Sequence, residues 1–169
     1  MDSSQHILNL LYRYAECIDS GDFDGLGMLF QCASIEYPTA GKALRGGASV
    51  ADFHRQTIHI YPDSGTPGTT HTVSNSIIDI DESAATATVR SCFTVTQQLT
   101  DFPYQVIAAG RYFDHFKRGN EGWAFSTRKV TPEYYGDLSK HLKSFQDERD
   151  SLRLVSNGFP TDNKAIKRV

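Results

Sequence analysis

The chain has 169 residues, with 20 acidic side chains against 17 Lys and Arg and a formal net charge of −3 with histidine neutral. That is the length of one ordinary domain, enough to bury about two-thirds of the surface an unfolded chain exposes, and it lacks the dense basic field a nucleic-acid partner requires. No stretch approaches the ~20 apolar residues that span a bilayer, and the opening Met1-Asp2-Ser3-Ser4-Gln5-His6 lacks the basic and apolar regions of a leader, so the expectation is a soluble, cytoplasmic protein with no membrane partner. Cys17, Cys32 and Cys92 are odd in number and far apart, which signals neither a disulfide framework nor a zinc site and predicts reduced, packed thiols.

Ile7, Leu8, Leu10, Leu11, Tyr14, Ala15 and Ile18 recur at helical spacing, with Asp2 or Ser3 to cap the start and Ser20-Gly21 to end the run. Asp22 is placed to cap a short second helix carrying Phe23, Leu26, Leu29 and Phe30. A short strand is expected near Ser34 to Tyr37. A third helix is expected after Gly46-Gly47, with Val50, Phe53, Ile58 and Ile60 as its apolar members, stopping before Pro62. Asp63 to Gly68 is a loop by composition. The pattern then changes to four long antiparallel strands, Thr69 to Asp81, Ala84 to Gln98, Tyr104 to Lys117 and Gly122 to Thr131, joined by turns of hairpin length such as Asp81-Glu82-Ser83 and Gly119-Asn120-Glu121-Gly122. A last helix is expected from Asp137 to about Leu154, followed by a polar, basic tail from Asn157. Helices first and strands after predict an α+β domain, with a mixed sheet closed over the N-terminal helices and a pocket between them.

Two residues stand out against this background. Asp19 closes the apolar pattern of the first helix, and His71 interrupts a strand whose Ile77, Ile78 and Ile80 read as core. An ionised carboxylate taken out of water needs a partner or hydrogen bonds, and an imidazole supplies one. Such a pair also occurs as a purely structural contact. Tyr12, Tyr14, Phe93, Tyr112, Phe113, Phe116, Trp123 and Phe125 read as core and pocket wall, and Arg111 as either an anion contact or a partner of Asp114. His54 and His59, five apart on a helix, lack the spacing of a shared metal face, so no metal is expected. His6, His115 and His141 read as exposed.

Taken in order, Tyr12-x-Tyr14, Asp19 with Asp22-Phe23-Asp24, Ile35-Glu36-Tyr37, Thr69-Thr70-His71, Gly110-Arg111-Tyr112 and Gly122-Trp123-Ala124-Phe125 resemble the nuclear-transport-factor-two-like superfold. Within it they are similar to the SnoaL-like branch that contains scytalone dehydratase and small polyketide cyclases. The resemblance implies a cone: a strongly curved mixed sheet on N-terminal helices, enclosing a deep pocket, with residues 1–138 as the cone domain and 139–169 as a C-terminal helix and tail of the same domain. It implies that Asp19 and His71 match that enzyme's buried Asp and His, and that Tyr37 matches a pocket tyrosine that holds a catalytic water. The enzyme's second essential His has no counterpart on Ala84 to Gln98, where Val95 or Gln97 stands, and its Ser and Asn on the next strand are replaced by Gly110 and Tyr112.

With Asp19 fixing one ring nitrogen of His71, the other is free to act as a general base. Tyr37 or Tyr14 can donate to a substrate carbonyl, Asn75, four residues beyond His71, can orient one, and Tyr112 joins the substrate wall. These residues predict a cofactor-independent lyase or isomerase, a dehydratase or cyclase, acting on a small apolar oxygenated ring compound. The rivals are a non-catalytic small-molecule-binding or assembly module of the same fold and the small subunit of a ring-hydroxylating oxygenase. A homo-oligomer through the outer sheet face is expected, on the argument that Trp123 and its aromatic neighbours exceed what one core can bury.

Overall fold

The computed structural model describes residues 2–143. Three helices, α1 (Ser3–Ser20), α2 (Phe23–Leu29) and α3 (Gly47–Thr57), lie with six strands: β1 (Ser34–Tyr37), β2 (Lys42–Arg45), β3 (Thr69–Asp81), β4 (Thr86–Leu99), β5 (Phe102–Gly119) and β6 (Gly122–Tyr135). The strands form one mixed sheet in the order β2-β1-β6-β5-β4-β3, antiparallel throughout except where β1 runs parallel to β6. The fold is the expected α+β arrangement of a curved sheet on N-terminal helices.

Helix α1 forms because Ile7, Leu10, Leu11, Tyr14, Ala15 and Ile18 make one buried stripe. It stops at Gly21, whose left-handed φ of 74° lets its N–H return to the Ile18 carbonyl at 3.0 Å. Asp22 then caps α2 by accepting from the Gly25 N–H at 2.8 Å. Helices α2 and α3 meet through glycine: a Cβ on Gly47 would stand 2.4 Å from the Gly27 carbonyl oxygen. That close approach fixes the buried side of α3, with Val50, Ala51 and His54, against the rest of the core.

Strands β1 and β3 begin and end where the pattern of residues places them. Elsewhere the structure corrects the sequence reading. Strand β2, with the short 3-10 turn Pro38–Ala40 before it, was not expected; its exposed Lys42, Ala43 and Arg45 leave only Leu44 buried, too little periodicity to read. Helix α3 ends at Thr57, and Ile58 instead pairs with Leu142 across an isolated bridge. The expected helix from Asp137 falls mainly outside the described residues, and its described part, 137–143, is turns and that single bridge. Ile77 is 52% exposed. Trp123 is buried, together with Phe116 and Phe125, so the argument for an oligomer from surplus aromatic surface fails. Cys32 is exposed, whereas Cys17 and Cys92 are partly buried.

Candidate active site

Asp19 lies in the last turn of α1, four residues on from buried Ala15 and next to buried Ile18, so helical geometry keeps its side chain at the edge of the core stripe, facing the start of β3. Three donors of β3 converge on it: Thr69 Oγ1 at 2.8 Å and His71 Nδ1 at 2.5 Å on Oδ1, and the His71 backbone N–H at 2.7 Å on Oδ2. Burial works against the Asp19 charge, but the donors from His71 and Thr69 outweigh it and hold its pKa below the ordinary carboxylate value. The ionised carboxylate can only accept, so Nδ1 of His71 carries the proton and Nε2 is the lone-pair nitrogen of the neutral ring. Among the described residues nothing is hydrogen-bonded to Nε2. His71 faces inward opposite Val95 of β4.

Other polar groups share this interior. His54, on the buried face of α3, bonds through Nδ1 to the Val50 carbonyl at 2.8 Å, which fixes its tautomer and turns Nε2 toward the Tyr37 hydroxyl at 3.4 Å. Burial drives its pKa down to about 4. Tyr14 and Tyr37 are electrostatically coupled to each other and to Arg128, and Tyr112 stacks on Phe93 and meets Tyr14 edge-on. Burial pushes all three phenols upward, so they are protonated donors at neutral pH. Beneath them Arg128 and Asp114 form a fully buried bidentate pair, Nε to Oδ1 at 2.8 Å and Nη2 to Oδ2 at 2.7 Å.

The structure thus joins Asp19 to His71 and gathers Tyr14, Tyr37 and Tyr112 around Arg128; His54, next to Tyr37, lies within electrostatic reach of His71, and Asn75 belongs to neither group. A bulge between Ser74 and Ile77 places both Asn75 and Ser76 against Ser91, with Asn75 exposed at a positive φ of 53°. The extra residue breaks the alternation that would have kept Asn75 on the face of His71; it lines a shallow outer depression with Arg90, Cys92 and Arg111 instead. Arg111 pairs with Glu133 at 2.9 Å, not with Asp114.

Three inward-facing polar side chains escaped the sequence reading. His54 was weighed only as half of a metal pair, although its place four residues after Val50 on the apolar stripe was a signal for burial. Arg128 shares the inner face with Val130, but the register shift in the β5–β6 ladder beside Phe116 hides that parity. His141, expected to be exposed, has its Nδ1 enclosed without a partner. Among the described residues no three His, Cys, Asp or Glu side chains gather as a metal site, and no helix is long and apolar enough to cross a membrane.

A family model described as a SnoaL-like domain matches residues 1–129. No curated protein matches the chain. Among solved structures, a candidate scytalone dehydratase from Novosphingobium aromaticivorans is similar at 22% identity and TM-score 0.63, covering 79% of this chain and 86% of that one. An NTF2-like protein with a cystatin-like fold from the same organism matches at 20% identity and TM-score 0.64, over 75% of this chain and 79% of that one. The beta subunit of a candidate aromatic-ring-hydroxylating dioxygenase, also from that organism, matches at 14% identity and TM-score 0.60, over 77% and 88% respectively. At these identities the likeness is one of fold.

Proposed function

The chain belongs to the SnoaL-like family, and on that premise we propose that it is a cofactor-independent lyase or isomerase, of the dehydratase or cyclase kind, acting on a small apolar oxygenated ring compound. The observation that carries this reading is the 2.5 Å contact of Asp19 Oδ1 with His71 Nδ1, which spends one ring nitrogen on orientation and leaves Nε2 for chemistry. His71 Nε2 takes a proton from a carbon beside a carbonyl, Asp19 stabilises the imidazolium that forms, and the neutral hydroxyls of Tyr37 and Tyr14 donate to the oxygen where charge develops. Tyr112 provides the flat wall of the pocket.

The test is a compound screen followed by substitution. His71→Ala is expected to lower turnover by about 10²- to 10⁴-fold, and Asp19→Asn by a smaller factor, with the circular dichroism spectrum of each unchanged. Unchanged rates in both variants would reject the enzyme. Recovery of a bound compound chemically intact after incubation would favour the non-catalytic binding module. Association through the outer sheet face rests on Tyr104, Val106 and Tyr134, exposed on β5 and β6; sedimentation as a monomer would exclude it.

A further inference from the structure

A second group of charged and polar residues lies on the outer face of the sheet, with the sheet itself between it and His71. Along β4, Ser91 and Phe93 are buried while Arg90 is exposed and Cys92 half-buried, so strand alternation turns Arg90 and Cys92 outward. The register extends each into a row across three strands. Arg90 stands between Ile77 of β3 and Phe113 of β5, and Cys92 between Ser74 of β3 and Arg111 of β5. Arg90 and Arg111 are therefore diagonal neighbours on one face, ~7–8 Å apart at their roots and within reach of each other's long side chains.

Between these rows is a depression of about 260 Å³ lined by Asn75, Ile77, Arg90, Cys92, Arg111 and Phe113. The bulge that takes Asn75 off the face of His71 delivers it to this rim. Among the described residues the Arg90 guanidinium has no partner, and Arg111 uses only its Nε on Glu133. The Lys129 ammonium, 5.8 Å from the Phe113 ring centre, adds a cation beyond the far wall. No acidic side chain is among the lining residues. Two guanidinium forks match the geometry of a carboxylate, and Ile77, 52% exposed, with Phe113 offers apolar surface beside them. The volume lies just under the ~300–1,000 Å³ of pockets for drug-sized ligands, which suits a small molecule.

We propose that this outer depression binds a small carboxylate with an apolar body, at a site separate from His71. The carboxylate oxygens accept from Arg90 and from the Nη groups of Arg111, the Asn75 amide donates at the rim, and the apolar body rests on Ile77 and Phe113. The bound molecule covers the Cys92 thiol. Both arginines are exposed, so salt screens the attraction and binding weakens as ionic strength rises. The inference is independent of the enzymatic reading above, because none of its residues faces the inner site.

The experiment uses the full chain and three probes: benzoate, its neutral isostere benzamide, and inorganic phosphate as an anion without an apolar body. Cys92 is alkylated with iodoacetamide and the rate read by peptide mass spectrometry, with the exposed Cys32 as internal control. Benzoate is expected to slow Cys92 saturably, with half-protection on the order of 1 mM, and to leave Cys32 unchanged. Benzamide and phosphate are each expected to be about 10-fold weaker. Arg90→Gln removes a guanidinium that has no partner, so its Tm should match wild type while benzoate protection weakens about 10-fold. His71→Ala should protect as wild type does. Benzamide or phosphate as effective as benzoate, equal slowing of Cys32, or Arg90→Gln within about twofold of wild type overturns the site. So does loss of protection in His71→Ala, which would put benzoate on the inner face, or protection that rises with protein concentration alone, which would make the occupant a second copy. Should Cys92 resist alkylation, NMR of isotope-labelled arginine decides: Arg90 and Arg111 signals shifting with benzoate but not benzamide support the site, and unmoved signals overturn it.

Discussion

Among the described residues two acid and base pairs face inward, Asp114 with Arg128 and Asp19 with His71, and they differ in what they leave free. Asp114 and Arg128 are fully buried, both carboxylate oxygens are used by the guanidinium, and the guanidinium carbon lies 4.0 Å from the Tyr14 ring centre, 4.1 Å from that of Tyr112 and 4.9 Å from that of Phe125. Asp19 and His71 retain 21% and 8% side-chain exposure. Here the carboxylate is saturated from one strand, while the imidazole keeps a nitrogen in hand. The first arrangement fixes the aromatic rings packed around it; the second, on the reading proposed above, moves a proton. Tyr14 lies between the Arg128 guanidinium and Tyr37, its ring over the first and its hydroxyl coupled to the second.

The sharpest way to break this comparison is Asp114→Asn, which keeps shape but leaves the Arg128 cation buried and uncompensated. Burial disfavours that cation and the Asp114 carboxylate more than offsets it, so the variant is expected to lose about 3–5 kcal/mol in denaturant titration. Replacing both partners, Asp114→Leu with Arg128→Met, is expected to restore stability to within about 1 kcal/mol or better. If the proposed enzymatic reading holds, no apolar pair at Asp19 and His71 does the same for turnover. If Asp114→Asn is as stable as wild type, the core pair is not structural.

A somewhat smaller effect appears in acid. Burial lowers both His54 and His141 to about 4, while unfolded histidine titrates near 6.5. Between those values the unfolded state binds more protons, so stability falls as pH drops from about 6.5 to 4, by on the order of 3 kcal/mol for each ring. His54→Gln is expected to flatten this limb by one ring's share, read as Tm against pH. A limb of unchanged steepness would mean that His54 is already charged in the fold.

How much of this was legible beforehand follows from parity. The α1 stripe, the Gly21 stop and the alternation of early β3 are local patterns, and from them Asp19 and His71 could be placed before any contact was known. Bulges are not local. The extra residue at Asn75 inverts the parity of β3, so Ile78 and Ile80 turn inward, Ile77 outward, and Asn75 leaves the site. The shift in the β5–β6 ladder likewise hides that Trp123, Phe125, Arg128 and Val130 all point inward. Asp114 could not be assigned its partner for the same reason. His141 is harder still: no periodicity in 138–143 announces a segment that returns to the sheet, and only its contacts with Thr57, His59 and Gln97 bring it there.

The smallest expected effect sharpens the comparison most, because it separates packing from electrostatics within the Asp19 and His71 pair. Thr69→Val preserves the shape of a nearly buried side chain and removes one of the three donors to Asp19. A hydrogen bond to a partly exposed carboxylate is worth about 1 kcal/mol, so that is the loss expected at neutral pH. The sign with pH is fixed by Asp19, whose pKa in the fold lies below its unfolded value. Its hydrogen bonds contribute above the unfolded value of about 3.9 and cease to contribute as pH falls through the folded one. The variant moves the folded pKa back toward the ordinary value, so its deficit should shrink in acid and nearly vanish once Asp19 is protonated in both proteins. Turnover should slow by a few-fold, because a less firmly held carboxylate orients His71 less well. A deficit that persists undiminished in acid would assign Thr69 to packing alone and leave His71 as the principal donor holding Asp19.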